Sequence, residues 1–143
     1  MAQTLSVDQL ATSVNSILAE YKGLVDADLE KVTKSVGRKT AQTVRANISA
    51  EGIKGTGAYK KSISVRNTKD ESRHLLNAVV YARAPHYRLT HLLEYGHAVV
   101  VAGGRTPGPG KKTRVDARPH WAEAERQAIA EFESRLKEAI ERK

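Results

Sequence analysis

The sequence predicts an α+β fold: a small antiparallel sheet of three or four strands packed against a long N-terminal helix and a shorter C-terminal helix. Three observations predict it. Apolar residues step by three and four through the first third of the chain, a period of two takes over in the middle, and steps of three and four return at the end. At 143 residues, the chain has the size of one domain. That domain is expected to span 1–143, with 6–49 helical, 55–118 forming the sheet with a short helix and a long Gly/Pro loop, and 119–143 helical.

The long helix starts at Ser6, which reads as an N-cap, with Asp8 in the first turn where the helix dipole favours an acid. Val7, Leu10, Val14, Ile17, Leu18, Tyr21 and Leu24 share one face, and Val25, Leu29, Val32, Val36, Thr40, Val44 and Ile48 continue it. Gly23 stands between the two stretches. Glycine costs about 1 kcal/mol against alanine inside a helix, so a bend or short break is expected there. One small domain cannot cover a face this long, and part of it is expected to pack on a neighbouring subunit.

Gly52, Gly55 and Gly57 end the helix in a turn. Ser62, Ser64 and Arg66 then alternate with Ile63 and Val65, which predicts a strand. A polar turn is expected over 67–72. Residues 75–84 read as a second strand, antiparallel to the first and apolar enough to be buried on both faces. Pro85 ends it. Tyr87, Leu89, Leu92 and Leu93 predict a short helix over 86–94, with Gly96 where a C-cap belongs. A third strand over 98–102 and a fourth over 113–117 flank the flexible Gly/Pro loop 103–112 and form a long-looped hairpin. Pro119 fits the first turn of the last helix. Its apolar face runs through Trp121, Ala124, Ala128, Ile129, Phe132, Leu136 and Ile140.

Composition narrows the function classes. The chain has no cysteine, so disulfide frameworks and thiolate metal sites are excluded. No apolar run approaches the roughly 20 residues that span a bilayer, and residues 1–6 lack the pattern of a signal peptide. The expected compartment is the cytoplasm in which the protein is made. Net charge is +8, and residues 54–118 hold thirteen Lys and Arg against four acids. Such a field favours a polyanion or an acidic protein neighbour, or serves solubility. Arg105, Lys111, Lys112 and Arg114 lie on or beside the Gly/Pro loop. In a ring, such loops would line a channel with positive charge and attract DNA without reading its sequence. The other reading is a loop that orders against a protein partner.

Reactive motifs are not evident. His86, His91, His97 and His120, with Glu94, do not form a metal-ligand pattern: the first three histidines are spaced by five and six residues, whereas a helical zinc pair needs i and i+4. Ser62, His97 and Glu94 have no nucleophile elbow around them. Gly110-Lys111-Lys112-Thr113 has the end of a phosphate loop, but Arg105 stands where its first glycine belongs. No catalytic residue, no cofactor and no metal are expected.

Three short motifs in fixed order carry more: Thr56-Gly57-Ala58-Tyr59 leading to Ser62-Ile63, then Leu93-Glu94-Tyr95-Gly96-His97, then Pro119-His120-Trp121-Ala122. With a long helix before them and an amphipathic helix after, the set resembles the small neck, or tail-completion, proteins of long-tailed double-stranded DNA phages and prophages. The resemblance covers roughly 5–142. It implies a structural virion protein and not an enzyme. Such a protein is a homo-oligomeric ring, sixfold or twelvefold, at the head–tail junction. Its neighbours would be the head connector or closure protein and the tail tube or tail terminator, with phage DNA passing through non-specifically and no membrane involved. It implies structural roles for Thr56, Gly57, Tyr59, Ser62, Glu94, Gly96, His97 and Pro119. Gly57 and Gly96 would adopt backbone angles closed to other residues, Tyr59 would pack and offer its hydroxyl to a partner, and Glu94 would pair with an Arg or with His97. Two rivals stand beside this reading: a sequence-independent nucleic-acid-binding protein acting as monomer or dimer, and an enzyme using His91, Glu94 and His97 with a metal.

Overall fold

A computed structural model describes residues 6–70 and 75–142. Eight elements follow in chain order: α1 (Val7–Ala50), α2 (Ala58–Ser62), β1 (Ile63–Asp70), β2 (Leu75–Ala82), α3 (Tyr87–Tyr95), β3 (His97–Ala98), β4 (Arg114–Val115) and α4 (Ala122–Glu141). The α+β class is as the sequence predicts. The four strands form two antiparallel pairs, β1 with β2 and β3 with β4.

α1 is continuous for 44 residues, about 66 Å at 1.5 Å per residue. It starts in a capping box: Ser6 accepts the Gln9 N–H, and the Gln9 side chain accepts the Ser6 N–H. The expected break at Gly23 is absent. A Cβ there would meet nothing within 4 Å, so this glycine costs propensity but meets no steric demand, and the helix runs through it.

The body of the molecule gathers on the C-terminal half of α1. Ala41, Val44 and Ile48 form its buried stripe, against Tyr59 of α2, Ile63 of β1, Ala82 of β2 and Ala124 of α4. The β1–β2 hairpin lies along α1 in register Ile63↔Ala82 through Asp70↔Leu75. Gly37 lets it approach: a Cβ there would come 2.9 Å from the Ala78 Cβ and 3.2 Å from Val65 Cγ1. Only one face of β2 is covered. Ala82 is buried and Val80 half-buried, while Val79 is 40% exposed. The expected burial on both faces fails because a two-stranded hairpin has a helix on one side only. The expected polar turn also shifts, since 67–70 continue β1. Glu71 and Ser72 lie outside the described residues.

α4 returns antiparallel to α1. Lys39 pairs with Glu131 at 2.7 Å, and Arg135 reaches Ser35 Oγ at 2.6 Å. In the same register Arg142 lies with Asp28 and Lys31 around one shallow groove. Lys69, late in β1, pairs with Glu30 at 3.7 Å, so β1 and α4 reach α1 as far as about residues 28–30, and every residue from 6 to 24 is exposed.

Candidate functional site

The three motifs, far apart in sequence, meet in one buried polar cluster at the start of α4. α2 stands where the sequence predicts only a turn into a strand, and it delivers Tyr59. Gly57 precedes it at φ +75°, and Thr56 Oγ1 accepts the Ala58 N–H at 3.3 Å. Ser62 closes α2 by donating to Tyr59 O at 2.6 Å. α3 delivers Glu94 from its last turn. The loop after β4 brings Arg118, whose N–H donates to Leu93 O at 2.7 Å, and then His120 and Trp121.

Glu94 holds the start of α4. Its Oε2 accepts the N–H groups of His120 at 2.8 Å and Trp121 at 3.1 Å, and its Oε1 accepts that of Ala122 at 3.0 Å. Trp121, the N-cap of α4, has no side-chain capping bond of its own. A carboxylate from another helix therefore satisfies N–H groups that the helix leaves free, and meets the positive end of its dipole. Burial pushes the Glu94 carboxyl up. The backbone N–H groups of His120, Ala122 and Trp121 outweigh that, with the nearby His120 ring adding to them, and hold it below its ordinary 4.5.

His120 is fully buried. Its Nδ1 lies 2.7 Å from Arg118 O and 3.2 Å from Glu94 Oε2. Both are acceptors, so in the neutral ring Nδ1 carries the proton and Nε2 accepts from the Tyr59 hydroxyl at 2.7 Å. The Tyr59 oxygen accepts the Trp121 indole N–H at 3.1 Å and lies 3.2 Å from Thr90 Oγ1. The Asn47 amide donates to His120 O at 3.1 Å, which ties the cluster to α1. Among the described residues no buried side-chain polar atom lacks a partner.

Several predicted site residues sit elsewhere. Glu94 pairs with neither an Arg nor His97, because its oxygens are taken by the α4 backbone. His97 opens β3 with Nδ1 3.4 Å from Leu92 O. Pro119 lies before α4, which begins three residues later at Ala122, since His120 O, which a helix from Pro119 would need as an acceptor, takes the Asn47 amide instead. Gly96 fits its expected part. It caps α3 at φ +72°, and a Cβ there would fall 2.5 Å from Val115 O. The sequence places His120 in the third motif and among the histidines weighed as metal ligands, and predicts no structural role for it. Its signal was a histidine two residues before a helix that lacks a capping side chain.

The rival enzyme set does not converge. The His91 ring packs on Tyr95 at 4.8 Å between centroids, and Glu94 is committed to the backbone. Among the described residues no three His, Asp or Glu gather as metal ligands, and no helix is long and apolar enough to cross a membrane.

The basic hairpin is exposed. The loop contains two turns, one closed by the Val101–Arg105 bridge and one by Lys111 N–H donating to Gly108 O at 3.2 Å. Lys112 pairs with Asp116 at 2.9 Å, and Arg114 reaches Tyr95 O at 3.4 Å.

The arrangement defines a class: a small α+β protein whose motif residues build a satisfied interior joint. The family model described as "Bacteriophage HK97-gp10, putative tail-component" matches residues 8–96. The chain belongs to this HK97-gp10-like family, and so to the bacteriophage tail components, which are structural parts of the virion. The matched stretch holds Tyr59 and Glu94, while their partners His120 and Trp121 lie beyond it. No curated protein and no solved structure matches the chain.

Proposed function

We propose that this protein is a ring-forming component of the phage head–tail junction that joins the head connector to the tail tube around the DNA channel. The observation that carries the reading is the uncovered apolar face of α1. Val7, Leu10, Val14, Ile17, Leu18, Tyr21 and Leu24 are all 45% or more exposed. Burying one such side chain is worth about 1.5–3 kcal/mol, so an assembly that covers the face gains substantially. Closed cyclic symmetry is the usual outcome for identical subunits, and the family resemblance implies sixfold or twelvefold. On this reading residues 1–143 act as one domain. Thr56, Gly57, Tyr59, Ser62, Glu94, Gly96, His97 and Pro119 serve structure, and Arg105, Lys111, Lys112 and Arg114 face the DNA or the neighbouring ring.

The test is the mass of the purified protein by light scattering across concentration, followed by electron microscopy of any large species. Rings with a central hole, or subunits that assemble onto tail tubes or connectors, are expected. The second reading, a sequence-independent nucleic-acid-binding protein, is favoured by the charge of 54–118. A monomer that ignores phage parts and binds DNA with a steep salt dependence would put it first.

A further inference from the structure

The apolar stripe on the N-terminal arm of α1 stops where α4 begins to cover the helix. Val7, Leu10, Val14, Ile17, Tyr21 and Leu24 alternate steps of three and four without interruption, so they fill the a and d positions of three heptads. The same repeat carried forward falls on positions 28, 31 and 35. α4 lies against all three: Arg142 shares a groove with Asp28 and Lys31, and Arg135 donates to Ser35 Oγ at 2.6 Å. The stripe is therefore the continuation of the face on which α1 packs α4 within the molecule. α4 ends at Glu141, and the face goes on uncovered for about five turns.

A strict a and d repeat packs against another helix with the same repeat, and a second copy of the arm is such a helix. The area suffices. The six seam residues and Leu18 beside them are between 45% and 83% exposed. At about 100 Å² for each side chain, two such faces together remove on the order of 1,200 Å² from water, which reaches the range of specific pairwise interfaces. Like charges do not oppose the contact. Of the flanking e and g positions, Ala11, Ser13, Leu18, Glu20, Val25 and Ala27, only Glu20 is charged. Asp8, Lys22 and Asp26 fall at b and f positions, away from the seam.

α4 sets the direction. α1 is one unbroken helix, so a parallel partner covering 7–24 would run on past residue 24 and need the face at 28–35 that α4 holds. An antiparallel partner begins at that point with its own first turn and carries its body away beyond residue 7. Its N-terminus then follows the C-terminus of α4, so that opposite ends of two helix dipoles face each other. With the ends of the stripes matched, Val7 of one copy lies over Leu24 of the other, Leu10 over Tyr21 and Val14 over Ile17, and Glu20 falls beside Ser13.

We infer that two copies of this chain pair through residues 7–24 of α1 as antiparallel helices, each arm covering the part of the other's α1 face that α4 leaves open. The contact is two-fold and closes on itself. It does not rest on the ring reading, since a ring needs a further contact between pairs.

The experiment uses the full chain. Leu10→Glu with Ile17→Glu charges the seam with good helix formers at positions 53% and 64% exposed, so the melting point of the body stays that of the wild type. Ile129→Glu charges a different exposed apolar surface, the groove between α1, β2 and α4. Light scattering should show the wild type and Ile129→Glu as pairs or multiples of pairs, and the seam variant as a monomer. The chain has no cysteine, so introduced cysteines report the direction. Val7→Cys and Leu24→Cys, mixed and oxidised, should form a disulfide-linked dimer of one with the other, while neither cross-links alone. The inference is overturned if the wild type is monomeric at every concentration reached, or if each cysteine variant cross-links with itself, which means parallel arms. Loss of pairing in Ile129→Glu also overturns it, because the groove would then receive the arm. Rings that survive the seam variant overturn the inference and leave the ring reading standing. A pair that grows no further, even with tail tubes or connectors present, upholds it and removes the ring.

Discussion

At the residue scale, Glu94 and Tyr59 hold the joint between the motifs, and each fails in its own way when changed. The Tyr59 hydroxyl serves His120, Trp121 and Thr90 together. Tyr59→Phe keeps the ring that packs in the core but leaves the buried His120 Nε2 and the Trp121 indole N–H without a partner. An unsatisfied buried polar group costs about 1–3 kcal/mol, so chemical denaturation should show a loss of at least that size with the slope unchanged. Glu94→Gln keeps the size of the side chain but offers one acceptor oxygen where the carboxylate offers two, and it removes the charge at the start of α4. The pH dependence follows from the direction of the Glu94 shift. Its carboxyl is held below 4.5 in the folded state, so its contribution is present above the unfolded value and is lost as pH falls through the folded one. The gap in stability between wild type and Glu94→Gln should be wide at neutral pH and close as the pH drops below about 4.5. A gap that is the same at both ends would show that the charge of Glu94 does nothing for α4.

At the element scale, two glycines on one helix make opposite predictions. Gly23 has open space around it and Gly37 has the hairpin against it. Gly23→Ala should strengthen the exposed N-terminal half of α1 by about 1 kcal/mol of helix propensity, read as slower amide exchange across residues 12–27. Gly37→Val forces β2 away from α1 and should cost about 1–3 kcal/mol, read as a lower melting point of the whole protein. The sequence contains both glycines but not the difference between them, because the difference lies in what packs on the helix and not in the helix itself. The same reason separates what was legible from what was not. The ends of α1, α3 and the hairpin follow from local signals: the Ser6 cap, Gly96, and the alternation around Ile63. The start of α4 does not, since its cap comes from a residue 28 positions away, and no local pattern announces it. α2 was hidden for a related reason. One turn of helix shows no periodicity, and only the need to aim Tyr59 at His120 marks it. The motif set drew attention to Tyr59, Glu94 and His120, but the pairing of Glu94 with backbone in place of a charged side chain needed the third dimension.

At the scale of the whole molecule, the parts divide into a packed body and two projections that the body does not need. The core lies between the C-terminal half of α1, the hairpin and the start of α4. The exposed N-terminal half of α1 leaves it at one end, and the basic β3–β4 hairpin is exposed along 103–106 and 108–112. Deletion of 106–112 removes no residue of the core and none that bonds to the Tyr59–Glu94–His120 cluster. It also loses the Lys112–Asp116 pair, which is exposed and worth little for that reason. The fold should therefore survive the deletion with a stability change within about 0.5 kcal/mol. What should change is the virion. If Lys111 and Lys112 face DNA in the channel, phage carrying the deletion should assemble tails but retain less DNA, and Lys111→Gln with Lys112→Gln should reproduce the defect with the loop at full length. If the loop instead seats on a neighbouring ring, the deletion should block head–tail joining and the double Gln variant should join normally. Loss of soluble protein on deletion would contradict both, and would move the loop from the projections into the body of the fold.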